Sequence, residues 1–312
     1  MSMRYAFVIL HYKAIEATID CIRSITALEV PDGSSLLAVI VDNGSKDGSY
    51  EKLQKLFAFD ERVEVVSTGE NIGFARGNNF GLNTIRKQME PDYVVATNND
   101  VVIPNRGFLS DIEHLQYETG FSVLGPDVYN PVTHEHQSPC GQGLVSLAQV
   151  DEMIDRNQRE LERLHHPRGK NRIYLALRDS RIGDELATLK HRCLEQADNR
   201  NWDSRQRNLV LQGSLLVFGS RWLREFPFLF YPKTFMYLEE NFLQLLALKH
   251  DLELVYDPSI RVHHLHGIAT KVGRSKWSDR QLFYYKNVLN SLVAYRELLY
   301  QFIDNDKQGS VK

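Results

Sequence analysis

Polar side chains able to bind a metal ion or a nucleotide follow the apolar segments of this sequence. The apolar residues 93–96 lead within a few positions to Asn98, Asn99 and Asp100. The amide and carboxylate oxygens of Asn98 and Asp100 are ligands that Mg²⁺ or Mn²⁺ prefers, and such an ion often also binds phosphate oxygens. An Asx turn ahead of Pro104 explains the same residues equally well. The pattern alone therefore favours neither interpretation.

Two other polar turns could contribute to a nucleotide site. Asp42 ends the apolar segment 36–41 and could hydrogen-bond a nucleoside, although a strand-to-helix turn explains the Asn and Gly residues after it more simply. Gly73 and Gly77 surround Arg76 ahead of a helical segment, and exposed amides with one guanidinium could bind a diphosphate. This spacing is neither the dinucleotide-binding motif nor a P-loop, and a capped helix start explains it as well.

Two adjacent carboxylates are candidates for a general base. Glu239 and Glu240 lie among the aromatic residues Phe235 and Tyr237 and others nearby. A carboxylate against an apolar wall has a raised pKa and can accept a proton from a substrate. Acidic residues in the first turn of a helix are the commoner reason for such a pair.

Three histidines lie close together near the end of the chain, at positions His263, His264 and His266. Strand alternation places His264 and His266 on one face and His263 on the other. One histidine could join Asp100 on a divalent ion. A structural zinc site is not predicted, because no fourth ligand lies at zinc-like spacing, and a plain surface role for two of the three is the simpler interpretation.

Apolar runs alternate with segments of helical periodicity over the first half of the chain. Strands are predicted at residues 5–10, 36–42, 63–68 and 92–100, with helices at 14–28, 49–57 and 80–89 between them. Such alternation predicts a mostly parallel sheet with helices on its faces. Ligands bind beyond the carboxyl ends of the strands in these sheets, where His11, Asp42 and Asn98 lie. Further helices are predicted over residues 235–250 and 280–303.

Composition limits the classes of protein and of partner. The chain has 312 residues, a net charge of −3 and three cysteines without metal or redox spacing. We expect no nucleic-acid partner, and sparse cysteine predicts a cytoplasmic location. Residues 141–207 are charged and poor in apolar residues, which predicts a helical insertion. The predicted organisation is one domain over residues 1–303, interrupted by this insertion, with a flexible tail at 304–312.

Seven segments together resemble the bacterial family 2 glycosyltransferases with a GT-A fold, and are most similar to their rhamnosyltransferase branch. In chain order these segments are FVILHYK, VDNGSKDGS, NIGFARGNNFGL, TNNDV, GPDVYNP, FMYLEEN and VHHLHG. The resemblance covers residues 4–139 and 208–300 and fails across the charged insertion. It implies an α/β GT-A fold with a Rossmann-like, mostly parallel sheet, a helical insertion and a C-terminal amphipathic helix.

The resemblance also implies roles for individual residues in donor and metal binding. Asp42 would bind the base or ribose of a nucleotide-sugar. Asn71, Gly73 and Arg76 would line the diphosphate. Asn98 and Asn99, in the family's Asp-x-Asp motif, would also bind the donor. Asp100 stands at the last position of the family's Asp-x-Asp motif and would hold Mg²⁺ or Mn²⁺, with His264 nearby. Asn98 at the first position makes this motif less acidic than the family pattern.

The implied reaction is sugar transfer with inversion, in which Glu240 is the catalytic base. Phe242 stands where the family often has a second acid, so the choice between Glu239 and Glu240 stays open. The donor would be dTDP-rhamnose, or second a UDP-sugar, and the acceptor a glycan or lipid-linked glycan of the bacterial surface. A homodimer and a peripheral contact with the inner face of the plasma membrane are expected. The alternatives are a nucleotidyltransferase and a non-catalytic sugar-nucleotide-binding or scaffold protein.

Overall fold

The computed structural model describes residues 2–143, 146–167, 169, 171, 178–179, 201–264 and 276–309. His266 and most of the insertion beyond residue 171 lie outside the described residues. The chain divides into two compact units. Unit 1 comprises Met1–Gly143, Asn201–Phe235 and Glu239–Thr270, and unit 2 comprises Leu144–Arg200, Met236–Leu238 and Lys271–Lys312.

Unit 1 begins with alternating strands and helices. These are β1 Arg4–His11, α1 Ile15–Thr26, β2 Ser35–Asp42, α2 Ser49–Leu56, β3 Val63–Ser67, α3 Phe74–Arg86 and β4 Tyr93–Asn98. The remaining elements of unit 1 are β5 Val101–Val102, α4 Phe108–Thr119, β6 Val123–Asn130, β7 Glu135–His136, β8 Gln206–Arg207, β9 Leu215–Gly219, α6 Ser220–Glu225, α7 Glu239–Lys249 and β10 Leu254–His264.

The sheet of unit 1 has the strand order β3-β2-β1-β4-β9-β6-β10-β5. Strands β3, β2, β1 and β4 are parallel, β9 is antiparallel to both of its neighbours, and β10 is parallel to β6. Residues 5–9 of β1 are fully buried, as expected for a strand covered on both faces. The predicted α/β class with a mostly parallel sheet is confirmed.

The register of the central strands brings three polar strand ends to one edge of the sheet. His11 of β1 pairs with Asp42 of β2, and Leu10 pairs with Asn98 of β4. Connections leave β1 for β2 on one side, and β4 lies on the other. This is the point where a crevice opens beyond the carboxyl ends of parallel strands.

Two helix starts differ from the sequence prediction. Helix α3 begins at Phe74 rather than at residue 80, so Gly77 lies inside the helix and not in a loop before it. The helix packs closely on β1: an added Cβ on Gly77 would overlap Leu10, and one on Gly81 would overlap Val8. Helix α7 begins at Glu239 rather than at residue 235. Tyr237 and Leu238 have positive φ angles of 77° and 69°, which a helix does not allow.

Unit 2 contains two helices that pack on each other, α5 Leu147–His165 and α8 Trp277–Gly309. Ser146 and Gln149 form a reciprocal capping box at the start of α5, which satisfies backbone amides that a helix otherwise leaves unpaired. Arg296 of α8 contacts Asp151 of α5 at 3.0 Å. Helix α8 continues to Gly309, six residues into the segment predicted as a tail. Among the described residues, no helix is long and apolar enough to span a membrane.

Candidate active site

Asp42 lies in the wall of a cavity at the carboxyl ends of β2 and β3. Its side chain is almost fully buried: one oxygen accepts from the backbone amide of Ser45 at 3.2 Å and the other from the hydroxyl of Ser67 at 3.1 Å. The cavity has a volume of about 250 Å³ and is lined by Asp42, Gly44, Lys46, Gly48, Tyr50, Glu51, Ser67 and Gly69. Sequence reasoning identified Asp42 but missed the lining side chains, because they come from two turns that only the sheet brings together.

The loop before α3 is clamped by Asn43. The Asn43 amide donates to the backbone carbonyl of Gly73 at 3.1 Å and accepts from the amide of Ile72 at 3.1 Å. The Asn71 side chain accepts from the amide of Gly73 at 3.0 Å. The predicted diphosphate-lining loop is therefore fixed against the turn that follows Asp42, on the same edge of the sheet.

The start of α3 also contacts the segment that leads toward the candidate base. The amide of Phe74 donates to the carbonyl of Phe235 at 2.7 Å. An added Cβ on Gly73 would overlap that carbonyl, so only glycine allows this approach. The exposed Arg76 donates to the carbonyl of Pro232 at 3.2 Å. Gly73 and Arg76 thus lie where the two segments meet.

Asp100 and His264 meet although 164 positions separate them in the sequence. His264 Nε2 lies 3.3 Å from Asp100 Oδ1, and both side chains are about 5–6% exposed. His264 Nδ1 lies 2.7 Å from the side-chain oxygen Oε1 of Gln137. An amide oxygen can only accept, so this contact places a proton on Nδ1. In the neutral tautomer, Nε2 then presents a lone pair toward the Asp100 carboxylate.

Two acceptors that face each other in this way fit a cation between them. Oxygen and imidazole nitrogen bind such ions at about 2.0–2.2 Å, which two atoms 3.3 Å apart can reach together. No three His, Cys, Asp or Glu side chains of the described residues are grouped to hold a metal ion. A cation here would need further ligands from a substrate, as Mg²⁺ commonly does with phosphates.

The two asparagines before Asp100 have different environments. Asn98 is partly exposed, and its backbone amide donates to the carbonyl of Ser214 at 2.8 Å. Asn99 is almost fully buried, and its side-chain amide donates to Thr18 Oγ1 at 2.9 Å and to the carbonyl of Lys13 at 3.3 Å. The Asn99 side chain therefore binds inside the protein, and its predicted contact with the donor stays a prediction.

Glu240 lies in the first turn of α7 beside a glycine turn. The backbone amide of Gly213 donates to its carboxylate, and burial raises the pKa of Glu240. An added Cβ on Gly213 would overlap the Glu240 carboxylate. The next residue, Ser214, is the one that binds the backbone of Asn98. The Gly213 turn thus joins Glu240 to the Asp100 loop, a contact that sequence reasoning missed although the QGS tripeptide precedes an apolar strand.

Glu239 differs from Glu240 in exposure, and His263 differs from His264 in the direction of its side chain. Glu239 is buried, at 4% exposure, whereas Glu240 is partly exposed. His263 projects from the face of β10 opposite to His264 and lies beside the ring of Tyr129, with 6.0 Å between ring centroids. Burial lowers the pKa of His263.

Comparison with solved structures returns matches at low sequence identity. Mannosyltransferase PcManGT from Pyrobaculum calidifontis, in complex with GDP-Man and Mn2+, is 11% identical, with 96% of this chain and 74% of that chain covered and a TM-score of 0.49. TarS 1–349 from S. aureus is 14% identical over 82% of this chain and 61% of that chain, with a TM-score of 0.48. In complex with UDP, TarS 1–349 is 20% identical over 46% of this chain, with a TM-score of 0.35, and only 38% of that chain is covered.

The family to which the sequence belongs is identified by a family model. No curated protein gives a significant match. The model described as glycosyl transferase family 2 matches residues 6–176, more than half of the chain. The matched segment includes Asp42, Asn71 and Asp100, and the GT-A fold class predicted from the sequence agrees with the sheet of unit 1. The chain belongs to glycosyl transferase family 2.

Proposed function

We propose that this protein is a metal-dependent, inverting glycosyltransferase that uses a nucleoside diphosphate sugar as donor. The observation that carries the proposal is the 3.3 Å contact between Asp100 and His264 at the carboxyl edge of the sheet. It lies on the edge where Asp42 lines its cavity, and the Gly213 turn connects it to Glu240. Family membership supports the same reaction class.

The donor would lie across the ends of β2, β1 and β4. Asp42 and its cavity would take the base and ribose, since a carboxylate can accept from nucleoside N–H and O–H groups. Asn71, Gly73, Arg76 and Asn98 would border the diphosphate. When bound, Mg²⁺ or Mn²⁺ would take Asp100 and His264 as protein ligands and neutralise the charge that develops on the leaving diphosphate.

Glu240 would accept the proton of the acceptor hydroxyl as this hydroxyl attacks the anomeric carbon. Its raised pKa and partial exposure suit a group that must bind a proton and also meet a substrate. A single displacement breaks the bond to the diphosphate while the new glycosidic bond forms, and the anomeric centre is inverted. Buried Glu239 is the poorer candidate for this contact.

The resemblance to rhamnosyltransferases supports dTDP-rhamnose as the first donor to test, with UDP-sugars second and GDP-mannose included for comparison. The acceptor we propose is a hydroxyl of a bacterial surface glycan, free or lipid-linked, reached by a homodimer at the inner face of the plasma membrane. Size-exclusion chromatography with light scattering, and sedimentation with vesicles, test the last two parts.

The experiment that tests the function measures nucleoside diphosphate release from each donor in the presence of Mn²⁺, without acceptor and with candidate glycans. We expect one donor to give slow hydrolysis that a suitable glycan accelerates. Binding of a donor without any release of nucleoside diphosphate would instead support the non-catalytic alternative. Release of pyrophosphate from a nucleoside triphosphate and a sugar phosphate would support a nucleotidyltransferase.

A further inference from the structure

His11 is a fully buried histidine at the centre of the proposed donor site, and it has no role in the reaction described above. It ends the central strand β1, and its side chain is 0% exposed. Its Nε2 lies 2.8 Å from the hydroxyl of Ser49, and its Nδ1 lies 2.7 Å from the hydroxyl of Thr18. A buried polar group that uses both of its hydrogen-bonding atoms fixes the orientation of both partners.

The hydrogen bonds of His11 continue in both directions. On one side, the Ser49 hydroxyl donates to Asp47 Oδ1 at 2.5 Å, at the end of the turn that lines the Asp42 cavity. On the other side, Thr18 Oγ1 accepts from the side-chain amide of Asn99 at 2.9 Å. Asn99 is the residue immediately before Asp100. An unbroken chain therefore joins the nucleoside side of the site to the metal side.

One arrangement of protons follows the shortest hydrogen bonds of this chain of side chains. The Ser49 hydroxyl gives its proton to Asp47, so its oxygen accepts from Nε2–H of His11. His11 then has a lone pair on Nδ1, which accepts from the Thr18 hydroxyl at 2.7 Å; the Ala14 carbonyl, the other acceptor near this hydroxyl, is farther away at 3.4 Å. The Thr18 oxygen in turn accepts from the Asn99 amide. The neutral Nε2–H tautomer satisfies every group, and burial lowers the pKa of His11 although Asp42 and Asp47 act against this.

A second, shorter connection links the same two loops. The backbone amide of Lys13 donates to the hydroxyl of Ser45 at 2.8 Å, and its carbonyl accepts from the Asn99 side chain at 3.3 Å. Asn99 therefore receives two independent restraints from the nucleoside side. Two restraints on Asn99 fix the loop more firmly than one. The orientation of this loop matters because the next side chain, Asp100, faces His264 at 3.3 Å.

We propose that His11 is a positioning residue that couples the nucleoside-binding turn, residues 42–49, to the metal-binding loop, residues 98–100, through Ser49, Thr18 and Asn99. The proposal rests on the donor site proposed above and deepens it. A nucleoside that orders the turn would hold Asn99, and through it Asp100, in the orientation that binds the metal. Coupling of this kind is reciprocal, so the metal would strengthen nucleotide binding by the same factor.

The test measures how much the metal strengthens nucleotide binding, in variants that remove the hydrogen-bonded connection through Thr18 and in variants that keep it. Isothermal titration calorimetry gives the dissociation constants of dTDP, UDP and GDP with Mn²⁺ and with excess EDTA, and their ratio is the metal enhancement. Thr18→Val removes the hydroxyl that bridges His11 and Asn99, whereas Thr18→Ser keeps it. Thr119→Val is the matched control, because Thr119 is a buried threonine of α4 whose hydroxyl binds only the helix carbonyl of Leu115, at 2.7 Å.

We expect Thr18→Val and His11→Phe to lower the metal enhancement by about threefold to tenfold, the effect of losing one buried hydrogen bond in a doubled connection. Thr18→Ser and Thr119→Val should keep it. A purely structural role would lower the melting temperature of Thr18→Val and leave the enhancement unchanged, and this outcome would overturn the proposal. If no nucleotide binds to the wild type, the proposed function itself fails, which is a different result.

A second measurement applies even if a variant does not fold. The ¹⁵N chemical shifts of the His11 ring in the wild-type protein distinguish the two neutral tautomers from the imidazolium. We expect the Nε2–H tautomer near neutral pH, with and without nucleotide. An Nδ1–H tautomer or a charged ring would contradict the chain of hydrogen bonds and overturn the proposal.

Discussion

Glu240 differs from Glu239 in properties that a general base needs. Glu240 is partly exposed, whereas Glu239 is almost fully buried. Loss of solvent around the Glu240 carboxylate raises the pKa of Glu240. We expect Glu240→Gln to keep nucleotide affinity and to lose roughly 10²–10⁴-fold in turnover, the usual contribution of such a group, while Glu239→Gln loses less.

The pH profile gives an independent check of the same assignment. Glu240 must be ionised to accept a proton, and its pKa lies above the ordinary value of 4.5. The rate of the wild type should therefore fall as the pH decreases through that raised pKa, and this limb should disappear in Glu240→Gln. A larger loss in Glu239→Gln than in Glu240→Gln would exchange the two roles.

Gly213 is required by the carboxylate that it binds. Its amide donates to Glu240, and a methyl group at its Cα would overlap that carboxylate. We expect Gly213→Ala to displace Glu240 and to lower turnover by at least about tenfold, because small misplacements of reacting groups are costly, with nucleotide affinity unchanged. Gly107→Ala serves as the control, since Gly107 has a φ of −80° and an added Cβ there would lie at ordinary contact distance, 3.4 Å, from the Asn105 side chain. Equal turnover in wild type and Gly213→Ala would show that Glu240 does not act from this position.

Polar residues at strand ends could be predicted from the sequence. Hydrogen bonds between residues far apart in the sequence could not. Asp100 and His264 were predicted as partners and lie 3.3 Å apart. The hydrogen bond from the Asn99 side chain to Thr18 was not predicted. No local pattern reports this, because Thr18 and Asn99 meet only after α1 packs against β1 and β5.

Helix α3 holds the segment that precedes the candidate base. Asn79 of α3 accepts from the amides of Leu229 and Phe230 at 2.9 Å and 3.1 Å and donates to the Phe230 carbonyl at 2.7 Å. We expect Asn79→Ala to lower the free energy of unfolding by about 2–3 kcal/mol, at about 1 kcal/mol for each hydrogen bond. Asn79→Asp keeps the acceptor and should lose less. Denaturant unfolding measures both, and equal stability of the alanine variant would contradict the clamp.

The strands were predicted more accurately than the helix starts. Continuous apolar runs mark β1, β2 and β4, since these strands are buried on both faces. The first two turns of α3 were read as a loop because of their glycines. Gly77 in these turns and Gly81 in the next allow α3 to approach β1, because Leu10 and Val8 leave no room for a Cβ at the two positions. Tertiary packing thus overrides the low helix propensity of glycine.

At the scale of the whole molecule, every residue proposed to bind donor or metal belongs to unit 1. Residues 201–207, which include strand β8, belong to unit 1 as well, so a deletion that spares the donor site must end at residue 200 rather than at 207. We propose that the inserted segment serves acceptor binding or dimerisation. Replacing residues 144–200 with a Gly/Ser linker should keep nucleotide affinity and impair transfer to acceptor or dimer formation.

Calorimetry and light scattering on the same preparation check this outcome. Circular dichroism should first establish that the shortened protein is folded. Loss of nucleotide binding in that folded protein would contradict the assignment of the donor site to unit 1 alone. Full transfer activity together with an unchanged oligomeric state would contradict the proposed role of the insertion.

The central claim is that Asp100 and His264 hold a divalent ion on the donor diphosphate. Nucleoside diphosphate release from the preferred donor, measured with Mn²⁺ and with excess EDTA, tests it most directly when Asp100→Ala is compared with wild type. Asp251→Ala is the control, because it removes an exposed carboxylate that has no proposed role in donor or metal binding. We predict metal-dependent release in wild type and control, and a loss of about 10²-fold or more in Asp100→Ala. Full turnover of the wild type in EDTA, or of Asp100→Ala in Mn²⁺, would contradict the claim.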